Sequence, residues 1–254
     1  MNRKLSKSRS VINGITVFAV ILLAWIAVTE AGLLKPIILP KISSIIEYWI
    51  NGFAENNLLT DVLVSLRRIV LGFLLSAVIA IPLGILAGTS QMCNSYIRPV
   101  CEFMRYLPVP TLVPLVMVWF GIDELAKVMV LFLGCVFQLL LMVADAAASV
   151  SDDLLNAGYT LGASKWDGLW TILLPAALPR IFEALRMTMG WAWSYLTLAE
   201  LFAASSGLGY QILRAQRFMQ TDAMFGLILL IGLMGLITDR LFAMVDKLVF
   251  HWKE

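Results

Sequence analysis

Histidine is almost missing from this chain: His251 stands alone, which excludes a multi-histidine metal site. Cysteine is nearly as scarce. Cys93, Cys101 and Cys135 show neither metal-ligand spacing nor a disulfide framework, and each lies in or beside an apolar run, so they read as small buried hydrophobes. The pattern G-x-x-x-x-G-K-S/T does not occur, so the chain lacks the usual backbone cradle for ATP phosphates. Charged residues make up 14% of the chain, against about a quarter in soluble domains. Apolar residues fill their place, at 60% with a mean hydropathy of +0.87. An all-α membrane protein is expected, in which the placement of charge matters more than the net +2.

The apolar runs predict about six transmembrane helices. The first, Val11–Val28, follows a basic head of Arg3, Lys4, Lys7 and Arg9. Its length and the lack of a convincing cleavage site favour an uncleaved span over a secretory signal. Ile42, Ile45, Ile46, Trp49 and Ile50 then repeat at helical spacing, predicting a short helix on the outer interface. The second span is Val62–Thr89. The polar stretch SQMCNSYIR reads as a turn before a third span over Phe103–Gly121, where Pro108, Pro110 and Pro114 predict a broken or bent helix. Further spans are expected at about Val128–Ala148, Ala176–Ala203 and Ala223–Val245, with SSGLGYQILRAQRFMQTD as a loop between the last two. Six spans place both termini on one side, and the larger share of lysines and arginines then falls on the cytoplasmic side. Internal repeats, low-complexity tracts and a separate soluble domain are not evident, and nucleic acid is not an expected partner.

The longest polar-containing interval in the second half is SDDLLNAGYTLGASKWDGLWTILLPAALP, Ser151–Pro179. Asp152 and Asp153 are amino-cap candidates for a short helix. Gly162 interrupts it, and Ser164 is a second cap candidate for an amphipathic piece that runs to Pro175. Helix, glycine hinge and second helix would form a compact element able to dock in a cleft of another protein. An ordinary cytoplasmic loop is the plainer alternative.

This stretch resembles the EAA loop of binding-protein-dependent ABC importer permeases. Asn156-Ala157-Gly158, Gly162, Ile172 and Leu174-Pro175 keep the full spacing of that motif, with Asn156 in place of the family's Glu and Gly158 in place of its second Ala. YLPVPTLVPLVMVWFGIDELAK (106–127), TLGASKWDGLWTILLPAALP (160–179), LAELFAASSGLGYQI (198–212), SLRRIVLGF (65–73) and AIPLGILAG (80–88) resemble the nitrate/sulfonate/taurine branch, which includes bicarbonate systems. The resemblance implies a type I ABC importer permease fold in the bacterial inner membrane. Residues 1–10 would be a cytoplasmic tail, 11–60 the first span plus the interfacial helix, and 61–250 the permease core with its coupling segment at 151–175. It also implies a cytoplasmic ABC ATPase dimer that binds ATP and magnesium, a second permease copy, an extracytoplasmic solute-binding protein and no cofactor on this chain. Asn156, Ala157, Gly158, Leu161, Gly162, Ala163 and Ser164 would meet the ATPase. The solute would be a small anion such as nitrate, bicarbonate, a sulfonate or taurine; an aromatic acid or vitamin precursor is the alternative.

Charged groups inside spans are costly and often functional. Glu200 could position the turn Gly207-Leu208-Gly209 or pair with Arg67 or Arg68. Those two arginines with Arg214 and Arg217 could form an electropositive outer entrance. Glu183 and Arg186 are expected to pair along one helical face. Trp191, Trp193 and Tyr195 could line the pathway, and Gln138 and Thr197 could supply neutral hydrogen bonds. An ion-coupled secondary transporter or channel is the competing class. It would call for mid-membrane titratable groups, whereas Asp145, Glu200 and Asp239 fall toward span ends.

Overall fold

Among the described residues, five helices are long and apolar enough to cross a bilayer: Ile12–Glu30, Leu58–Thr89, Glu124–Ala148, Lys165–Phe202 and Thr221–Val249. A sixth span results when Gln91–Arg105 and Val109–Phe120, bent 102° from each other, are taken as one. The computed structural model describes residues 7–55 and 57–251; Arg3 and Lys4 of the basic head lie outside the described residues. In chain order the helices are α1 (Lys7–Glu30), α2 (Ile42–Ala54), α3 (Asn57–Thr89), α4 (Gln91–Arg105), α5 (Val109–Phe120), α6 (Glu124–Ala148), α7 (Asp152–Thr160), α8 (Lys165–Asp167), a π turn (Gly168–Leu173), α9 (Leu174–Ala203), α10 (Leu208–Arg217) and α11 (Thr221–Val249).

The chain divides into two compact units. One comprises residues up to 59 with 211–229. Within it, the Trp25 indole donates to the Pro40 carbonyl (2.9 Å) and meets Phe225 edge-on at 5.4 Å. Trp49 Nε1 donates to the Gly226 carbonyl at 3.0 Å. The apolar side chains of α1 are otherwise largely exposed, as suits a helix facing lipid on most sides.

The second unit, residues 60–210 with 230 onward, is built on α6 and α9, whose facing residues supply much of the core. α3 lies close against α6 because glycines face it. A Cβ on Gly84 would stand 2.7 Å from the Val143 Cβ and 2.8 Å from the Leu140 carbonyl oxygen. Small residues permit this backbone approach where lipid offers no hydrophobic drive for association.

Two of the three prolines of the third span stand at the start of α5, and Pro114 lies inside it. Pro108 is the extended residue before the helix and Pro110 sits in its first turn, where a missing N–H costs nothing. The bend therefore falls between Arg105 and Val109.

Three local expectations are corrected. SQMCNSYIR belongs to α4, because it holds no glycine or proline and Ser90 caps it by accepting from the Cys93 N–H. The segment after the fifth span contains α10, with Leu208 and Ala215 buried and Arg214 and Arg217 exposed. Arg186 does not pair with Glu183. It makes a two-pronged contact across to α11, with Nε to Asp239 Oδ1 at 2.6 Å and an NH to Oδ2 at 2.8 Å. The guanidinium fork matches a facing carboxylate better than one three residues along its own helix.

Candidate functional site: hairpin, cavity and clamped turn

Residues 151–175 form a closed hairpin. Ser151, rather than Asp152 or Asp153, caps α7, accepting from the Asp153 N–H, while the two aspartates occupy the first turn and favour the helix dipole from there. The helix ends in a Schellman motif. Ala163 N–H donates to the Gly158 carbonyl and Gly162 N–H to the Tyr159 carbonyl, both at 3.0 Å, with Gly162 at φ +92°. Ser164 then caps α8 with a full capping box: its hydroxyl accepts from the Asp167 N–H at 3.2 Å, and the Asp167 carboxylate accepts from the Ser164 N–H at 3.0 Å.

Two glycines close the hairpin. A Cβ on Gly158 would collide with Ile172 Cδ1, and one on Gly168 would stand 2.9 Å from the Tyr159 ring. The motif's Gly158 and Ile172 thus meet face to face. The outer surface stays open: Asn156 and Ala157 are exposed and Leu161 is 88% exposed.

From Lys165 the helix continues without interruption to Phe202, and Pro175 does not start a new one. A proline in mid-helix lacks an N–H and crowds the carbonyl four residues back. The π turn Gly168–Leu173 widens the backbone at that place.

Midway along α6, the α4–α5 break opens a cavity of about 350 Å³. Trp191 and Tyr195, four apart on α9, share its wall with Phe137 and Gln138 of α6, and Arg105 and Tyr106 stand at the break. Trp193 is absent from it. Two residues along a helix points the opposite way, so Trp193 is buried and donates to Thr238 Oγ1 at 3.1 Å. Thr197 donates to the Trp193 carbonyl of its own helix at 3.0 Å.

Beyond the cavity, Glu200 and Arg68 hold the glycine turn. Both are almost fully enclosed, at 0% and 1% exposure. Glu200 accepts from Arg68 at 2.8 Å, from Ser65 Oγ at 2.8 Å and from the Gly209 N–H at 2.8 Å. Arg68 also donates to the Ser206 carbonyl (2.7 Å) and in two-pronged fashion to Glu124 (2.8 and 2.6 Å). Glu124 in turn accepts from Lys127 at 2.9 Å. Asp61 accepts from the Gly207 N–H at 2.6 Å, and the Leu208 N–H donates to Ser65 Oγ at 2.9 Å. A Cβ on Gly207, which has φ +105°, would run into Glu200 Oε1. Every backbone N–H of the Gly207-Leu208-Gly209 turn is therefore claimed by a buried side chain.

The structure brings Arg68, Glu200, Gly207 and Gly209 together, and separately Trp191 and Tyr195. It removes Arg68 from any electropositive entrance, because carboxylates on two helices neutralise it. Arg67, Arg214 and Arg217 are exposed and take no part in the clamp. Sequence reasoning missed Asp61, Ser65, Glu124 and Arg105. Asp61, Ser65 and Arg68 had a signal: their i, i+4, i+7 spacing draws one polar stripe along an otherwise apolar helix.

Residues 80–251 match the family described as "binding-protein-dependent transport system inner membrane component". The taurine transport system permease protein of Escherichia coli K12 is 31% identical over 250 residues, covering 96% of this chain and 91% of that protein. The bicarbonate transport system permease protein of Synechococcus elongatus is 30% identical over 201 residues, covering 79% and 72%. A chain of the inward-facing MetNI methionine ABC transporter superposes with a TM-score of 0.69 at 18% identity, covering 77% of this chain and 97% of that one. The fold is that of type I ABC importer permeases, with multiple spans as expected, and this chain belongs to the binding-protein-dependent ABC transporter inner-membrane permeases of the nitrate/sulfonate/taurine branch.

Proposed function

We propose that this chain forms the translocation pathway of an importer for a small anion, as one of two permease copies driven by a cytoplasmic ATPase dimer. The observation that carries the reading is the hairpin at 151–175. Its inner face is locked by Gly158 on Ile172 and Tyr159 on Gly168, and its outer face presents Asn156, Ala157 and Leu161 to solvent. A rigid element with an uncommitted outer surface suits docking into a groove, with Gly162, Ala163 and Ser164 fixing its turn. Because Asn156 carries no charge, the ATPase groove reads shape at this position rather than a carboxylate.

ATP and magnesium belong to the ATPase, and this chain carries no cofactor of its own. An extracytoplasmic binding protein delivers the solute, and both termini face the cytoplasm with the hairpin. The relatives named for taurine and bicarbonate transport support an anionic solute. Reconstitution with a cognate ATPase and binding protein provides the test. Uptake of radiolabelled taurine or bicarbonate into proteoliposomes is expected only with ATP and all components present. Uptake by the lone chain without an ATPase would overturn the reading in favour of an ion-coupled carrier or channel.

A further inference from the structure

Arg68, Arg98 and Arg186 each face carboxylates from another helix: Glu200 and Glu124, Asp145, and Asp239. Arg105 does not. Among the described residues it contacts Tyr106, with an NH 3.2 Å from the phenol oxygen and the guanidinium 4.9 Å from the ring centre. It stands in the wall of the 350 Å³ cavity, level with the middle of α6, where a cation without a counter-charge is costly unless water or an anion reaches it. The rest of that wall is apolar and aromatic, apart from the amide of Gln138. Gly134 widens the space: a Cβ there would stand 2.6 Å from Tyr195 Cδ2, so the bare backbone lets the Tyr195 ring lie back against α6.

We infer that this cavity is a solute-binding site for a small organic anion, with Arg105 holding the anionic head and Trp191 and Tyr195 contacting its organic part. The inference rests on the importer reading above and narrows its substrate class. A cavity in the size range of small-molecule sites, about 300–1,000 Å³, exceeds what a bare inorganic ion fills, and an aromatic wall gains nothing from one. A short alkyl acid uses both ends: charge-assisted hydrogen bonds at the guanidinium and apolar contact at the rings. Arg105 is then the residue that sets preference for an anion, and the ring pair sets preference for an organic one.

The test uses the permease with its ATPase in lipid nanodiscs, titrated with ethanesulfonate, uncharged ethyl methyl sulfone and nitrate while tryptophan fluorescence is followed. Ethanesulfonate is expected to give a saturable change that Trp191→Phe abolishes, with the sulfone and nitrate binding more weakly. Arg105→Gln is expected to weaken ethanesulfonate binding at least about tenfold, the scale of a charged hydrogen bond, with Arg105→Lys between it and the wild type. Arg105 is exposed, so these variants should melt at the wild-type temperature. Equal affinity in Arg105→Gln, equal binding of the sulfone or nitrate, or no saturable binding by the wild type would each overturn the site. ATP-driven uptake by the reconstituted wild type reports on the importer reading independently, because it can be present while Arg105→Gln binds normally, or absent while the binding pattern holds.

Discussion

At the scale of single residues, the Arg68–Glu200 contact places two opposite charges out of reach of water, at 1% and 0% exposure. Burying two charges is unfavourable unless attraction and additional hydrogen bonds offset it, and here Ser65, Gly209, Ser206 and Glu124 supply those bonds. Removing one partner leaves the other charged and enclosed. Arg68→Met and Glu200→Leu should each destabilise the fold by about 3–5 kcal/mol, whereas the double variant should cost clearly less than the sum. Denaturant-induced unfolding in detergent micelles measures this, and additive losses would show that the pair is not coupled. Arg68→Lys should fare little better than Met, because an ammonium cannot span Glu124, Glu200 and the Ser206 carbonyl at once. The sequence made Glu200 conspicuous as a charge in an apolar run, but it left two arginines as partners. Three-dimensional placement decided between them: Arg68 lies on the same stripe as Ser65, and Arg67 points about 100° away around the helix.

Elements were legible wherever long apolar periods or strong caps marked them, and misread wherever polar residues lay inside a helix. All six spans were foreseeable from hydropathy, and the bend of the third from its prolines. α4 and α10 were taken for turn and loop because polarity was weighed above the absence of helix breakers in QMCNSYIR and YQILRAQR. The π turn had no sequence signal beyond Pro175 itself. In the hairpin, Gly162 has free space around it but a left-handed backbone. Alanine there should cost about 1 kcal/mol of local stability, and a β-branched residue more. Gly162→Val is therefore expected to insert normally yet lower solute uptake per ATP hydrolysed, measured as the ratio of the two rates in proteoliposomes. Normal coupling in that variant would sink the docking role. Ser164→Ala removes one arm of the capping box, worth about 1 kcal/mol, and should shift the same ratio in the same direction by a smaller amount.

For the whole molecule, sidedness follows from where the hairpin lies. Asn156→Cys in a background lacking Cys93, Cys101 and Cys135 should react with a membrane-impermeant maleimide in inverted vesicles and not in intact spheroplasts. Labelling should fall when the ATPase is bound, and reaction from the outer side would reverse the assigned topology. The stretch from Lys165 to Phe202 links the three features along one rod. Near one end Ile172 is wedged against Gly158, in the middle Trp191 and Tyr195 form a cavity wall, and at the far end Glu200 grips the backbone of Gly207 and Gly209. At about 1.5 Å per residue, Ile172 and Glu200 stand about 42 Å apart, and the helix runs unbroken between them through Pro175, Pro179 and Gly190. A tilt imposed on the hairpin therefore reaches the cavity wall and the glycine turn together, as three readings of one lever's angle.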